Sequence, residues 1–115
     1  MKARIFPFLA LAAFAAALFL CAAAGASQNF TGLVTDNMCP KGDHSAMQMG
    51  PTNAECVKAC VRVHGALYVL YDGKQTYTLS DQETPEKFAG QKVTVIGTLD
   101  SKTGTIQVQS IAPAK

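Results

Sequence analysis

The sequence predicts a mainly β fold: a small five-stranded OB-like barrel with a cysteine-bearing α-helix inserted between strands 1 and 2. Three observations carry that expectation. Five short stretches alternate apolar and polar residues and are set apart by Gly, Asp and Asn turns. Residues 52–65 break that period and carry helix start and stop residues instead. A connector precedes the last pair of strands, an arrangement that suits a small closed Greek-key barrel.

The N-terminus is set aside first. Lys2 and Arg4 precede an apolar run from Ile5 to about Ala24, which ends in Ala24-Gly25-Ala26. A basic start, an apolar middle and a small-x-small end predict a secretory signal peptide over residues 1–26, cleaved before Ser27, and a periplasmic or secreted destination. Two other readings exist. The run is long enough to span a bilayer as an uncleaved anchor. Cys21 could be a lipoprotein site, although Leu18-Phe19-Leu20 lacks the small residues such sites want. Residues 27–115 then form a single domain, small enough that disulfides or metals commonly help to hold it.

Cleavage changes the balance of the chain. Lys2 and Arg4 account for the formal charge of +2, and what remains carries eight residues of each sign. With no basic footprint, neither nucleic acid nor an anionic membrane is an expected partner. Cys21 leaves too, so the cysteines become an odd set: Cys39, Cys56 and Cys60. Free thiols in an oxidising compartment call for an explanation.

The elements follow in order. "FTGLVTD" (30–36) is the first predicted strand. Residues 37–51, "NMCPKGDHSAMQMGP", hold Pro, Gly, Asp and Asn without a period and predict a loop. Thr52 and Glu55 match a capping box, and the helix they open runs to about His64, with Gly65 as its C′ residue. "ALYVLYD" and "QTYTLSD" flank a Gly73-Lys74 turn and predict a hairpin in which Leu67, Val69 and Tyr71 alternate on one strand and Tyr77 and Leu79 on the other. "TPEKFAG" (84–90) is a short helical or irregular connector. "KVTVIGTLD" (92–100) alternates Val93, Val95, Gly97 and Leu99, "SKTG" turns the chain, and "TIQVQSI" (105–111) returns. The run from "YVLYDGKQTYTLSD" to "TIQVQSI" resembles small periplasmic OB-fold proteins of bacteria.

The chemistry concentrates in "ECVKACVRVHG". On a helical wheel Glu55, Lys58 and Arg62 cluster, while Cys56, Cys60 and His64 fall on the other side, flanked by Val57 and Val63. The i, i+4 spacing puts the sulfurs on adjacent turns, about 5–6 Å apart at Cβ. That suits two ligands of one tetrahedral ion better than a mutual disulfide, which wants Cβ atoms near 3.8 Å. Cys39 and His44 in the loop complete a Cys₃His set with Cys56 and Cys60, spaced C-x4-H-x11-C-x3-C. His64 could replace His44 if the helix holds to its end. Three thiolates favour zinc, or copper in its reduced state. "HSAMQM" resembles exported copper-handling segments, but Met47 and Met49 are more simply loop residues that cap the core.

The bland reading of the same residues is one disulfide, from Cys39 to Cys56 or Cys60, plus one spare thiol. Closing a loop of that length is worth about 3 kcal/mol in the chain-entropy model. Asp36 divides in the same way: it either orients a ligating histidine or makes a turn at the strand end.

The stretch from "TGLVTDNMC" through "AECVKACVRVHGALYVLYDGKQTYTLSD" resembles a family of small exported bacterial proteins of unknown function. The likeness covers about residues 31–111: a strand ending in Asp-x-x-Cys (Asp36 to Cys39), a later His, a Cys-x3-Cys helix, then Gly-Ala-x-Tyr-Val-Leu. It implies a common fold and a recurring Cys/His set, and no reaction. No Ser/His/Asp order, paired-carboxylate motif, phosphate loop, nucleotide fingerprint or haem-attachment motif occurs, so neither an enzyme nor an organic cofactor is expected. The leading expectation is an exported protein that holds zinc or copper for a structural or sequestering purpose, with the ion itself as partner. The alternative is a disulfide-stabilised, non-enzymatic binding module of the bacterial envelope, using Tyr68, Tyr71 and Tyr77 against a protein or glycan.

Overall fold

The structure, a computed structural model, describes residues 26–115. The predicted signal peptide, Ala26 apart, and Cys21 lie outside the described residues. The fold is mainly β. Its strands are β1 (Gln28–Asp36), β2 (Tyr68–Tyr71), β3 (Thr76–Leu79), β4 (Lys92–Asp100) and β5 (Thr105–Pro113), with one α-helix, α1 (Asn53–His64), between β1 and β2. The strands close on themselves in the order β1-β2-β3-β5-β4. Every pairing is antiparallel except β3 with β5. No helix among the described residues is long and apolar enough to cross a membrane.

Alternation explains why the ring fills. In a strand, successive side chains point to opposite faces. Val34 of β1, Tyr68 and Leu70 of β2, Leu79 of β3, Val93 and Val95 of β4 and Ile106 of β5 share one buried interior, with Phe30, Tyr77 and Leu99 packed against it. β1 starts two residues earlier than predicted, because Gln28 and Asn29 pair with Gly97 and Ile96 of β4. The connector before β4 is a 3-10 turn over Thr84–Phe88.

The predicted alternation in β2 has the wrong parity. Tyr68 and Leu70 face the interior, whereas Leu67 is exposed and Val69 is buried outside that cluster. Val69 pairs with Thr35, and the two lie on the outer face of the ring, yet both are buried. Alternation fails as a guide here because both faces of the sheet are covered. The cover on the outer face is the segment inserted between β1 and β2.

That insert is anchored at both ends. Asn37 N–H donates to Leu67 O at 3.0 Å and Leu67 N–H returns to Asn37 Oδ1 at 3.0 Å, closing the segment where it leaves and re-enters the sheet. Thr52 caps α1 as predicted: its Oγ1 accepts Glu55 N–H at 3.2 Å. The Glu55 carboxylate meets the Thr52 hydroxyl rather than its backbone N–H. Gly65 takes a left-handed conformation (φ 66°) and its N–H donates to Cys60 O, ending the helix. Gly90 packs under the start of α1, where a Cβ would sit 2.9 Å from Ala54 N. An Arg62–Glu86 ion pair ties the helix to the 3-10 turn.

Candidate metal centre

α1 turns its residues as the wheel expects at Cys56, Val57 and Cys60, all buried, with Glu55 and Arg62 outward. Val57 enters the ring interior. Cys56 and Cys60 form a second small cluster with Ala66, covered by Met47, Met49 and Val61. Met47 and Met49 thus cap the cysteines. Two residues depart from expectation: Val63 is 67 % exposed and His64 is exposed at the helix end. His64, exposed at the helix end, is not placed to replace the buried His44.

The loop brings Cys39 and His44 to the same region. Asp36, at the end of β1, starts it: its Oδ1 accepts the N–H groups of Met38 at 2.9 Å and Cys39 at 3.0 Å. This is the turn-making role weighed for Asp36 from sequence. It folds Cys39 back beside the strand, where it is buried. A further turn, with Met47 and Gln48 N–H both donating to His44 O at 3.1 Å, sets His44 against the outer face of β1. His44 is 6 % exposed and Asp36 0 %.

The second oxygen of Asp36 has a different environment. Asp36 Oδ2 lies 3.9 Å from His44 Nδ1, too far for a hydrogen bond. Both atoms are fully buried and neither has a hydrogen-bond partner among the described residues. One donor atom from each of Asp36, Cys39 and His44 lies within 4.8 Å of the others, a grouping that could hold a metal ion. The other ring nitrogen, His44 Nε2, is 3.4 Å from Thr35 Oγ1, whose hydroxyl also bonds Cys39 O at 2.8 Å.

Electrostatics couple the three thiols. Burial, then the Asp36 carboxylate, then Cys56 and Asp43, push the Cys39 thiol above the ordinary thiol range. Burial, Asp36, Cys56 and Cys39 push the Cys60 thiol up to about 11. Buried and near a carboxylate, the Cys39 and Cys60 thiols resist ionisation unless a positive charge joins them. Cys56 Sγ accepts Met49 N–H at 3.4 Å. None of the three cysteines is disulfide-bonded. Cys56 and His44 also line one surface cavity of about 480 Å³, together with Gly42, Asp43, Thr52 and Asn53, so this region opens to solvent.

Cys39, His44, Cys56 and Cys60 are all buried, but only Cys39 and His44 stand, with Asp36, within ligand distance of one another, while Cys56 and Cys60 belong to the neighbouring cluster under Met47 and Met49. Sequence reasoning missed Thr35 and took Asp36 for either a turn residue or an orienting one. The sequence carried no signal for Thr35: only the structure shows that the consecutive Val34, Thr35 and Asp36 are all buried. A Thr and an Asp in a strand covered on both faces need partners. Of the tyrosines considered for a binding face, Tyr68 is 2 % exposed and belongs to the core, and Tyr77 packs against Phe30.

Residues 62–114 match a family model described as "Protein of unknown function (DUF5818)". The matched stretch runs from the end of α1 through β2–β5, so it covers most of the ring and none of Cys39, His44, Cys56 and Cys60. No curated protein and no solved structure matches the chain.

Proposed function

We propose that the protein is an exported, non-enzymatic metal-binding protein that holds zinc or copper with Cys39, His44, Cys56 and Cys60, to order the insert or to sequester the ion. The observation that carries this reading is the pair of buried, unpartnered atoms, Asp36 Oδ2 and His44 Nδ1, beside Cys39. A buried acceptor without a partner costs about 1–3 kcal/mol, more when charged. A cation would offset that cost and supply the positive charge that the thiols lack. We read the closed five-strand ring, with β3 and β5 parallel, as an OB-like Greek-key barrel. The insert then stands where such a barrel carries its first loop.

The test is intact mass of the exported chain, measured natively and denatured, with thiol counting. A bound ion and three reactive thiols after chelation are expected. A mass two protons light, one thiol and no metal would instead establish the disulfide-stabilised module.

A further inference from the structure

We infer that Asp36 is itself a metal ligand, and that the ion is zinc held by Asp36 Oδ2, Cys39 Sγ and His44 Nδ1, whose donor atoms already stand within 4.8 Å of one another, and completed by Cys56 Sγ, which lies outside that grouping and closes on the ion, with Cys60 outside the donor set. The inference rests on the metal-binding reading and changes its donors from three sulfurs and a nitrogen to two sulfurs, a nitrogen and an oxygen.

The hydrogen bonds around His44 lead to it. Thr35 has one hydroxyl proton, and its 2.8 Å bond to Cys39 O is the shorter of its two contacts. With that proton directed at the carbonyl, Thr35 Oγ1 can only accept from His44, which assigns the ring proton to Nε2 from the bonding pattern. Nδ1 then presents a lone pair. What it faces is Asp36 Oδ2, another acceptor, in a site that neither leaves. A proton on either atom would not reach across 3.9 Å to bond the other. A zinc ion would: bonds of about 2.0–2.2 Å at the tetrahedral angle place a nitrogen and an oxygen roughly 3.4 Å apart, half an ångström closer than they stand. Thr35 takes the part that an outer carbonyl or carboxylate usually takes, holding the ring by its far N–H so that the near nitrogen is free to ligate.

The choice of thiolate follows from the surroundings. Cys56 lines the same cavity as His44, which gives the ion a route in, and the Met49 N–H on its sulfur is a bond that a thiolate accepts well. Cys60 lies one helical turn further along α1, as buried as Cys56, and is absent from that cavity's lining. A carboxylate oxygen and an imidazole suit zinc, whereas copper(I) prefers thiolate and thioether donors. Asp36 thus serves twice, Oδ1 shaping the turn that delivers Cys39 and Oδ2 meeting the ion.

Zinc K-edge X-ray absorption of residues 27–115 loaded with one equivalent of zinc reads the donor atoms directly. Two sulfurs with two nitrogen or oxygen neighbours are expected. Three sulfurs and one nitrogen would overturn the inference and leave metal binding standing, and failure to take up zinc would overturn both. Variants give the second arm. Cys60→Ala should keep zinc, and Cys56→Ala should lose it. Asp36→Asn keeps an oxygen for the turn, and should lower zinc affinity by about 100-fold or more, beyond the usual outer-sphere effect, while leaving copper(I) affinity unchanged. Equal losses for both ions would mean that Asp36 only shapes the loop, and would overturn its role as a ligand.

Discussion

In the ring, Val34, Leu70, Leu79, Val93, Val95 and Ile106 fill one shared aliphatic interior. The insert from Asn37 to Gly65 buries something quite different: Cys56 and Cys60 with Ala66 under two methionines, and beside them Asp36, Cys39 and His44. Apolar burial, at about 25 cal/mol per Å², stabilises the ring. The insert shares in that interior only through Val57 and the half-buried Val61. Its apolar cluster is small, its loop has no regular structure before α1, and its most buried polar atoms lack partners among the described residues. One region is ordered by its core, while the other has the donors to be ordered by an ion.

Mutations that act on one region only would sharpen this contrast, and the largest effect belongs to the ring. Leu70→Ala removes a fully buried side chain from the interior. It should lower unfolding free energy by about 2–5 kcal/mol, by the same amount with and without zinc, as read by urea denaturation. A zinc-dependent loss would break the comparison. Next comes the ion. Zinc at 100 times its dissociation constant should stabilise the wild type by about 2.7 kcal/mol, seen as a raised thermal midpoint. His44→Ala should abolish that shift, whereas a retained shift would place the ion elsewhere. Thr52→Ala removes the cap of α1 and should cost about 1 kcal/mol, with a larger loss in metal-free protein, where no ion adds to the packing of Val57 in holding the helix. Breaking the Arg62–Glu86 pair with Arg62→Gln should change stability by less than about 1 kcal/mol, since its side chains are 67 % and 41 % exposed.

The two regions also differed in how far they could be read from sequence. Local chemistry was legible: the Thr52 cap, the Gly65 stop, the inward face of Cys56 and Cys60, and the alternation of Val93 and Val95 each depend on residues close in the chain. The parity of β2 was not, because Tyr68, Val69 and Leu70 are consecutive, apolar and all buried, so no alternation marks which of them face the interior. The insert's cover hid Thr35, whose neighbour in sequence is an interior valine and whose partners, Cys39 and His44, arrive only after the loop has folded back. Asp36 read as a choice between a turn and an orienting role. In the structure its Oδ1 makes the turn while Oδ2 faces His44, a division between two oxygens of one carboxylate that no spacing rule could supply. The exposure of Val63 and His64 likewise departs from the helical period, which put both on the face of Cys56 and Cys60.

Amide hydrogen exchange of residues 27–115, metal-free and zinc-loaded, tests most directly whether an ion orders one region and a core the other. Zinc should raise protection across residues 37–65 by at least tenfold and leave β4 and β5 unchanged below the global unfolding limit. Equal protection of the insert in both states, or a rise spread evenly over ring and insert, would contradict the account.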